Sequence, residues 1–460
     1  MIYSSLGFIY LFFPASLIIY YAVPRKAKDI VLFLMSCVFT GLMGLKILAF
    51  TALYIAVNYI AAHLTYRMAV VKRRQLRLIP CSIGIFFDIL MIFGFRSEYF
   101  SFITAPLNLP DGVFPIGISF FTLSAVGYLM EIYRGEVKAD MNIVRFSLYL
   151  IMFPRLIFGS LMSYSVFVSA LRRRRMNIME IGRGLSLFVK GLGKKVIAAD
   201  SLYALYSAVV STDTGNLSLV SAWLGVISYV LCLYFTMSGF SDMSTGLCRC
   251  FGFRFPGGFN YPMFSGKIRF FAAKWQVQAV QWFRRNITRP LTVLIDNPRL
   301  NKIIFILVWA IGGFWYGFSV GSMIFGFLMG TAIIIENRFR NLKFMKSNGI
   351  LYTSFAVMLM SVFLMSDEIS DAFRYLWAMV GGNGTIADSL AAYFARYYIV
   401  VLLAAVYAST DLFKNMVVRV ENSRFRWAVY VFSPAVSLLL LMICTAMMSY
   451  SGSSGILLLM

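Results

Sequence analysis

The chain has 460 residues, of which 60% are hydrophobic and only 13% charged, with a formal net charge of +23. No water-soluble domain carries that balance, and it points to a polytopic helical membrane protein. The excess of Lys and Arg is read as basic loops facing anionic lipid, so no nucleic-acid partner is expected.

The first apolar run, MIYSSLGFIYLFFPASLIIYYAVPRK, has no basic leading region and no small-residue cleavage site. It reads as a retained first span over 5–22. Further apolar runs predict spans at 30–44, 47–64, 79–96, 116–133, 196–212, 217–237, 302–320, 322–337, 350–366, 392–410 and 427–449. Basic clusters lie at 25–28, 72–77, 134–138, 172–175, 194–195, 249–299, 338–346 and 414–426. With the N-terminus outside, each of them falls on the cytoplasmic side, as the positive-inside rule expects. The loops left outside, 97–115 and 367–391, are poor in Lys and Arg, and the second carries Asp367, Glu368 and Asp371.

The run 146–169, SLYLIMFPRLIFGSLMSYSV within it, lies between two basic clusters that both belong inside. Pro154 and Gly159 interrupt it and Arg155 sits in its middle. It reads as re-entrant, entering and returning on one side, with a kinked span as the alternative. An arginine at that depth costs about 2.5–3.5 kcal/mol if it faces lipid, so Arg155 is expected to face protein or a cavity. Asp88 and Glu131 also fall within apolar runs. Each reads either as a functional group or as a partner for an arginine such as Arg134 or Arg155.

The six cysteines (Cys37, Cys81, Cys232, Cys248, Cys250 and Cys444) are scattered and form no disulfide framework. With one histidine and no CxxC, no metal site is expected. There is no internal repeat and no linker, and 1–460 reads as a single domain.

The chain is organised around 234–299 and its sequel 309–317. Between Arg249 and Arg299, both included, there are nine Lys or Arg and one acid, Asp296. Pro256, Gly257, Gly258, Pro262 and Gly266 break any helix at the start of that stretch. Irregular backbone at membrane depth survives only where protein or a wet cavity satisfies it. From 267 to 285, Ile268, Phe271, Ala272, Trp275, Ala279, Trp282 and Phe283 keep helical spacing, with Lys267, Lys274, Gln278, Gln281 and Arg285 opposite. This predicts an amphipathic interfacial helix, either a plain anchor or a platform for an anionic partner such as a phosphopantetheine arm or an acidic carrier protein. Lys267, Arg269, Lys274, Asn260 and Trp275 are the candidate residues for such a donor. Asp242, in SGFSDMS, ends an apolar span and reads as a cap, a partner for Arg249 or a catalytic acid. Asn260 and Tyr261, in FNYP, read first as turn residues.

The motifs FPIGISFFTLSAVGYLMEIYRGEVKAD, FPRLIFGS, GLGKKVIAAD, YFTMSGFSDMSTGLCRCFGFRFPGGFNYP, RFFAAKWQVQAVQWFRRNITRPL, VWAIGGFWYGFS and MSDEISDAFRYLWAMVGG follow one another in order. Together they resemble the alginate O-acetylase branch of the bacterial membrane-bound O-acyltransferases, related to the D-alanyl transfer protein of teichoic acid synthesis. The resemblance covers nearly the whole chain. It implies an all-α ring of about 11–13 helices, with re-entrant segments, around a thin central funnel. It implies an acyl thioester donor, acetyl-CoA or an acyl carrier protein, on the cytoplasmic side as co-substrate, with no bound cofactor. It also implies a hydroxyl acceptor on an exported polysaccharide, modification proteins that act with it, and a place in the bacterial cell membrane.

The family's central histidine, in a WHG-like motif, acts as base, and a second lies in a WHI-like motif. This chain departs at both places. Tyr316, in FWYGF, stands at the first and Gln276, in KWQVQ, at the second. The only histidine, His63, matches neither motif and is expected to be a buried, hydrogen-bonded side chain. A base works best with a pKa near the operating pH. Tyrosine, near 10, is ionised about once in a thousand at pH 7, and glutamine is no base at all. Three readings follow. One is an O-acyltransferase using Tyr316, Asp242 or His63 in place of the histidines, with Gln276 orienting a group or donating a hydrogen bond. The second is an inactive relative that scaffolds a polysaccharide-modification complex. The third, a glycan transporter or polymerase, has no segment in its favour.

Overall fold

The protein is described by a computed structural model, covering residues 2–70, 76–96, 102, 105, 115–174, 176–339, 348–366, 368–423 and 426–451. Most of the 97–115 loop and of the basic clusters at 72–77 and 338–346 lies outside the described residues, as do Arg175 and Asp367 and part of the cluster at 414–426.

Each predicted span coincides with a helix or a helix pair, and no strand is present among the described residues. The protein is an all-α, multi-pass membrane protein. Among the described residues, six helices are long and apolar enough to cross a bilayer: Leu45–Ala69, Leu78–Arg96, Leu219–Cys250, Pro298–Gly317, Val320–Arg338 and Phe432–Tyr450. The pair Ser389–Tyr397 and Ile399–Ala408, bent by 63°, makes a seventh if it is one span. Phe8–Ala22 and Gly349–Met365 are shorter apolar helices.

The chain packs as two compact units, Met1–Phe188 with Phe240–Gly257, and Val189–Gly239 with Gly258–Met460. The helix Leu219–Cys250 contributes to both. The apolar span therefore does not end at Asp242, which lies inside this helix; of the three readings given for it, the cap is removed, because SDMSTGLCRC continues the helix to Cys250. The basic stretch is likewise divided, at Gly257 and Gly258.

In the first unit the 146–169 run is broken, as Pro154 and Gly159 predict. Helix Ile143–Ile151 gives way to the single turn Phe153–Leu156, then to a non-helical return, then to helix Tyr164–Arg172. Nine residues of helix span only about 14 Å, too little to cross a hydrocarbon core of about 30 Å. Both ends of the excursion meet at Asp140, which accepts from Arg145 at 3.0 Å and from the Tyr164 hydroxyl at 2.6 Å. The segment therefore turns back on itself. At its deep end the irregular backbone is satisfied by side chains. The Ser36 hydroxyl accepts from Phe153 N–H at 3.0 Å, and Ser244 donates to the Pro154 carbonyl at 2.8 Å. Tyr3 donates to the Phe153 carbonyl. Arg155, 5% exposed, donates to the carbonyls of Tyr149 and Ser160 and lies over the rings of Tyr149 and Phe167. It faces protein, as expected. Asp88 is not held by an arginine: its Oδ1 accepts from Asn58 at 2.8 Å. Glu131 accepts from the Tyr164 N–H at 3.1 Å.

In the second unit the helices Pro298–Gly317 and Val320–Arg338 form a tight hairpin. The turn uses Phe318 in the left-handed region (φ 52°), and Ser319 and Ser322 close a capping box. Gly313 and Gly326 let the two backbones touch: a Cβ on Gly326 would lie 2.2 Å from the Trp309 carbonyl oxygen. Small residues at such a crossing are what membrane helices use to approach closely. Ile268, Phe271 and Ala272 bury against Met329 and Ile333 of this hairpin and Val357 and Met360 of Gly349–Met365.

Candidate active site

The helix predicted over 267–285 is broken in its middle. Ile268–Lys274 ends at Trp275, Gln276 takes a left-handed conformation (φ 39°, ψ 54°), and Val277–Phe283 starts afresh. A non-glycine residue pays about 1–2 kcal/mol for that conformation. The break persists because another part of the chain takes over its hydrogen bonds. Val277 N–H, which an unbroken helix would direct at residue 273, donates to the Gly258 carbonyl at 2.8 Å. Asn260 N–H donates to the Lys274 carbonyl at 3.1 Å. The start of the first short helix is held by Glu336, 1% exposed, whose Oε2 accepts from Ile268 N–H at 2.6 Å. The break also changes the register of the second half. Gln278, expected on the polar face, is buried.

The consequence is that Trp275 and Gln276, neighbours in sequence, both face one cavity. The cavity has a volume of about 160 Å³. Its aromatic wall is Trp275, Phe283, Phe305, Trp309, Trp315 and Phe325; its polar members include Gln276, Arg284, Thr288 and Tyr316. A smaller space of about 60 Å³, walled in part by Trp275 and Tyr316, adjoins it. Trp275 and Trp315 thus stand in the wall and leave volume between them. Trp275 is held by Phe271, stacked at 5.4 Å, by Phe259, edge-on at 5.5 Å, and by Tyr234 at 6.1 Å.

Gln276 and Tyr316 meet at a single atom. Gln276 Nε2 donates to the Met237 sulfur at 3.5 Å, and the Tyr316 hydroxyl donates to the same sulfur. Met237 is itself buried, in Leu219–Cys250. Two neutral donors thus converge on one weak acceptor beside open space.

The other candidates fall elsewhere. Asp242 and His63 belong to the first unit, and neither lines this cavity. His63 is half-buried rather than fully buried; its Nδ1 pairs with the Tyr59 carbonyl at 2.9 Å and its Nε2 with the Met141 sulfur at 3.3 Å. Lys267, Arg269, Lys274 and Asn260 are not on the cavity wall. Lys267 precedes the first short helix in extended backbone, exposed Arg269 lies over its neighbour Phe270, and Lys274 and Asn260 meet through backbone. The cation on the wall is Arg284, which sequence reasoning passed over within the RR pair. Met237 was also missed, and nothing in an apolar run marks one methionine. Glu336 left a trace: a lone acid near the end of an apolar run that leads into a basic cluster.

The chain is 29% identical to a probable alginate O-acetylase of Azotobacter vinelandii, over 88% of this chain and 83% of that protein. It is 30% identical to a probable alginate O-acetylase of Pseudomonas aeruginosa, over 73% of this chain and 66% of the other. The chain belongs to the membrane-bound O-acyltransferase family. A peptidoglycan O-acetyltransferase of Helicobacter pylori is 26% identical over 84% of this chain and 80% of that protein. No family model matches the chain. Glutamine and tyrosine, at 276 and 316, line the cavity described here.

Proposed function

We propose that this protein is an O-acyltransferase of the bacterial plasma membrane. It moves an acyl group from a cytoplasmic thioester donor, an acyl-CoA or an acyl carrier protein, to a hydroxyl of an exported cell-envelope glycan. Family membership and the named substrates of the relatives, alginate and peptidoglycan, support the class of reaction. The observation that carries the reading is the convergence of Gln276 and Tyr316 on one sulfur at the wall of an aromatic cavity.

The chemistry follows from that geometry. The acceptor oxygen attacks the thioester carbonyl carbon, the C–O bond forms and the C–S bond breaks, and the hydroxyl proton ends on the departing sulfur. Negative charge gathers on the carbonyl oxygen on the way. Two donors aimed at one point stabilise such charge, and neither Gln nor Tyr has to titrate to do so. Displacement of the Met237 thioether by the carbonyl oxygen exchanges a weak acceptor for a stronger one. Gln276 and Tyr316 are then polarising groups and not bases. Arg284 on the wall suits a phosphate of the donor. Arg269 and Lys274, on the adjoining short helix, and Lys267, just before it, suit an acidic carrier protein.

Acyl transfer measured in membranes tests this. Tyr316→Phe at equal protein level is expected to lower transfer about 10²–10³-fold, the usual effect of losing one oxyanion donor. Undiminished transfer would remove the donor pair from the mechanism. Wild-type protein that moves no acyl group from any thioester would leave the inactive scaffold as the reading.

A further inference from the structure

The cavity is larger than an acetyl group needs. Its volume of about 160 Å³ is close to the ~150 Å³ apolar cavity known to take up benzene, a ligand of six carbons. Acetyl has three heavy atoms and would leave roughly half of such a space empty, forfeiting dispersion contact with the aromatic wall.

Gly312 makes part of that space. Its neighbour Gly313, and Gly326 opposite, are explained by helix packing, because a Cβ on either would collide with backbone at 2.4 Å or less. Gly312 has no such reason. A Cβ there would meet only the Phe283 ring, at 3.9 Å, and the residue lines the cavity. Glycine inside a helix is unfavourable by about 1 kcal/mol relative to alanine, so its presence where no backbone demands it leaves open volume as its effect.

We infer that this cavity receives the acyl chain of the donor, that it is sized for about four to six carbons, and that Gly312 sets the upper limit. The inference rests on the acyltransferase reading for the chemistry, but binding alone tests it. The probe is a series of unreactive phosphopantetheine thioethers carrying two- to ten-carbon chains. Each is titrated against the full-length protein in lipid nanodiscs, following tryptophan fluorescence, since Trp275, Trp309 and Trp315 stand in the wall.

Affinity is expected to rise about three- to fourfold per methylene up to five or six carbons and then to stop. Gly312→Ala should end the rise about one carbon earlier and Gly312→Val about three, and a folded alanine variant suffices for the comparison. Affinity independent of chain length, a rise continuing to ten carbons as in an open groove for lipid tails, or a limit unmoved in Gly312→Ala and Gly312→Val would each overturn the assignment. Transfer is measured on the same samples. The expected binding pattern without transfer from any thioester removes the acyltransferase reading and keeps the acyl site. Transfer with flat binding does the reverse.

Discussion

Two stretches of this chain interrupt their helices within apolar surroundings, and they resolve the interruption differently. Around Arg155, each of the groups named above ends on a strong partner. Carbonyls accept from the guanidinium, and Ser36, Ser244 and Tyr3 hydroxyls serve the backbone. Around Gln276, the backbone is equally well closed, by Gly258 and Asn260. The side chains are not closed in the same way. Gln276 and Tyr316 donate to a thioether sulfur, a weak acceptor, beside a cavity. Burial in an apolar medium obliges every broken helix to satisfy its peptide groups. It does not oblige side-chain donors to find their best partner, and where they have not, a ligand oxygen has something to gain.

This contrast is open to attack, and Arg155 is where the largest effect is expected. Arg155→Met leaves two buried carbonyls without a donor and should lower stability by about 2–3 kcal/mol, with Arg155→Lys in between. Thermal melting of detergent-solubilised protein measures it. Melting unchanged from wild type would make the first stretch as loosely satisfied as the second.

A smaller effect of opposite sign belongs to Gln276. Gln276→Gly relieves the left-handed backbone and should raise stability by about 1 kcal/mol while removing one of the two donors. Stability and transfer are then expected to move in opposite directions, as measured by melting and by acyl transfer on the same preparation. A melting point that falls as far as in Arg155→Met would make the Gln276 side chain a structural group.

The smallest effect concerns the part of the basic stretch in the first unit. Arg254 donates to Glu180 at 2.6 Å, and Arg183 adds a contact at 3.2 Å. The hydrogen bond from Arg254 is the main cause holding the Glu180 carboxyl below its ordinary 4.5. A depressed folded-state value means the contribution to stability is complete above about pH 4.5 and fades as pH falls through the lower, folded value. Arg254 and Arg183 are 51% and 60% exposed, so solvent screens the pair and the contribution stays below about 1 kcal/mol. Melting between pH 7 and 3 should fall less steeply in Glu180→Gln than in wild type. Identical slopes would show that Arg254 does no more for Glu180 than water.

Much of this molecule is legible without coordinates. Each predicted apolar run coincides with a helix or a helix pair, though helices such as Ile178–Gly193 and Ile369–Met379 lie outside those runs, and Pro154 and Gly159 mark the break in 146–169. Other features were misplaced for identifiable reasons. Asp242 looked like the end of a span because hydropathy drops there, yet residues that lower hydropathy do not stop a helix. The 267–285 segment looked continuous because apolar spacing reports which side chains are buried and not which peptide groups find other partners.

The sequence by itself determined the class of the protein, because hydrophobicity sums over local runs and a bilayer offers few ways to satisfy a long apolar chain. Tertiary structure alone decided that Gly258 and Asn260 would take the hydrogen bonds of the helix that follows them, turning Gln276 toward Tyr316 and Met237. Such a bond depends on where peptide groups more than a dozen residues apart come to rest, and no local composition records it.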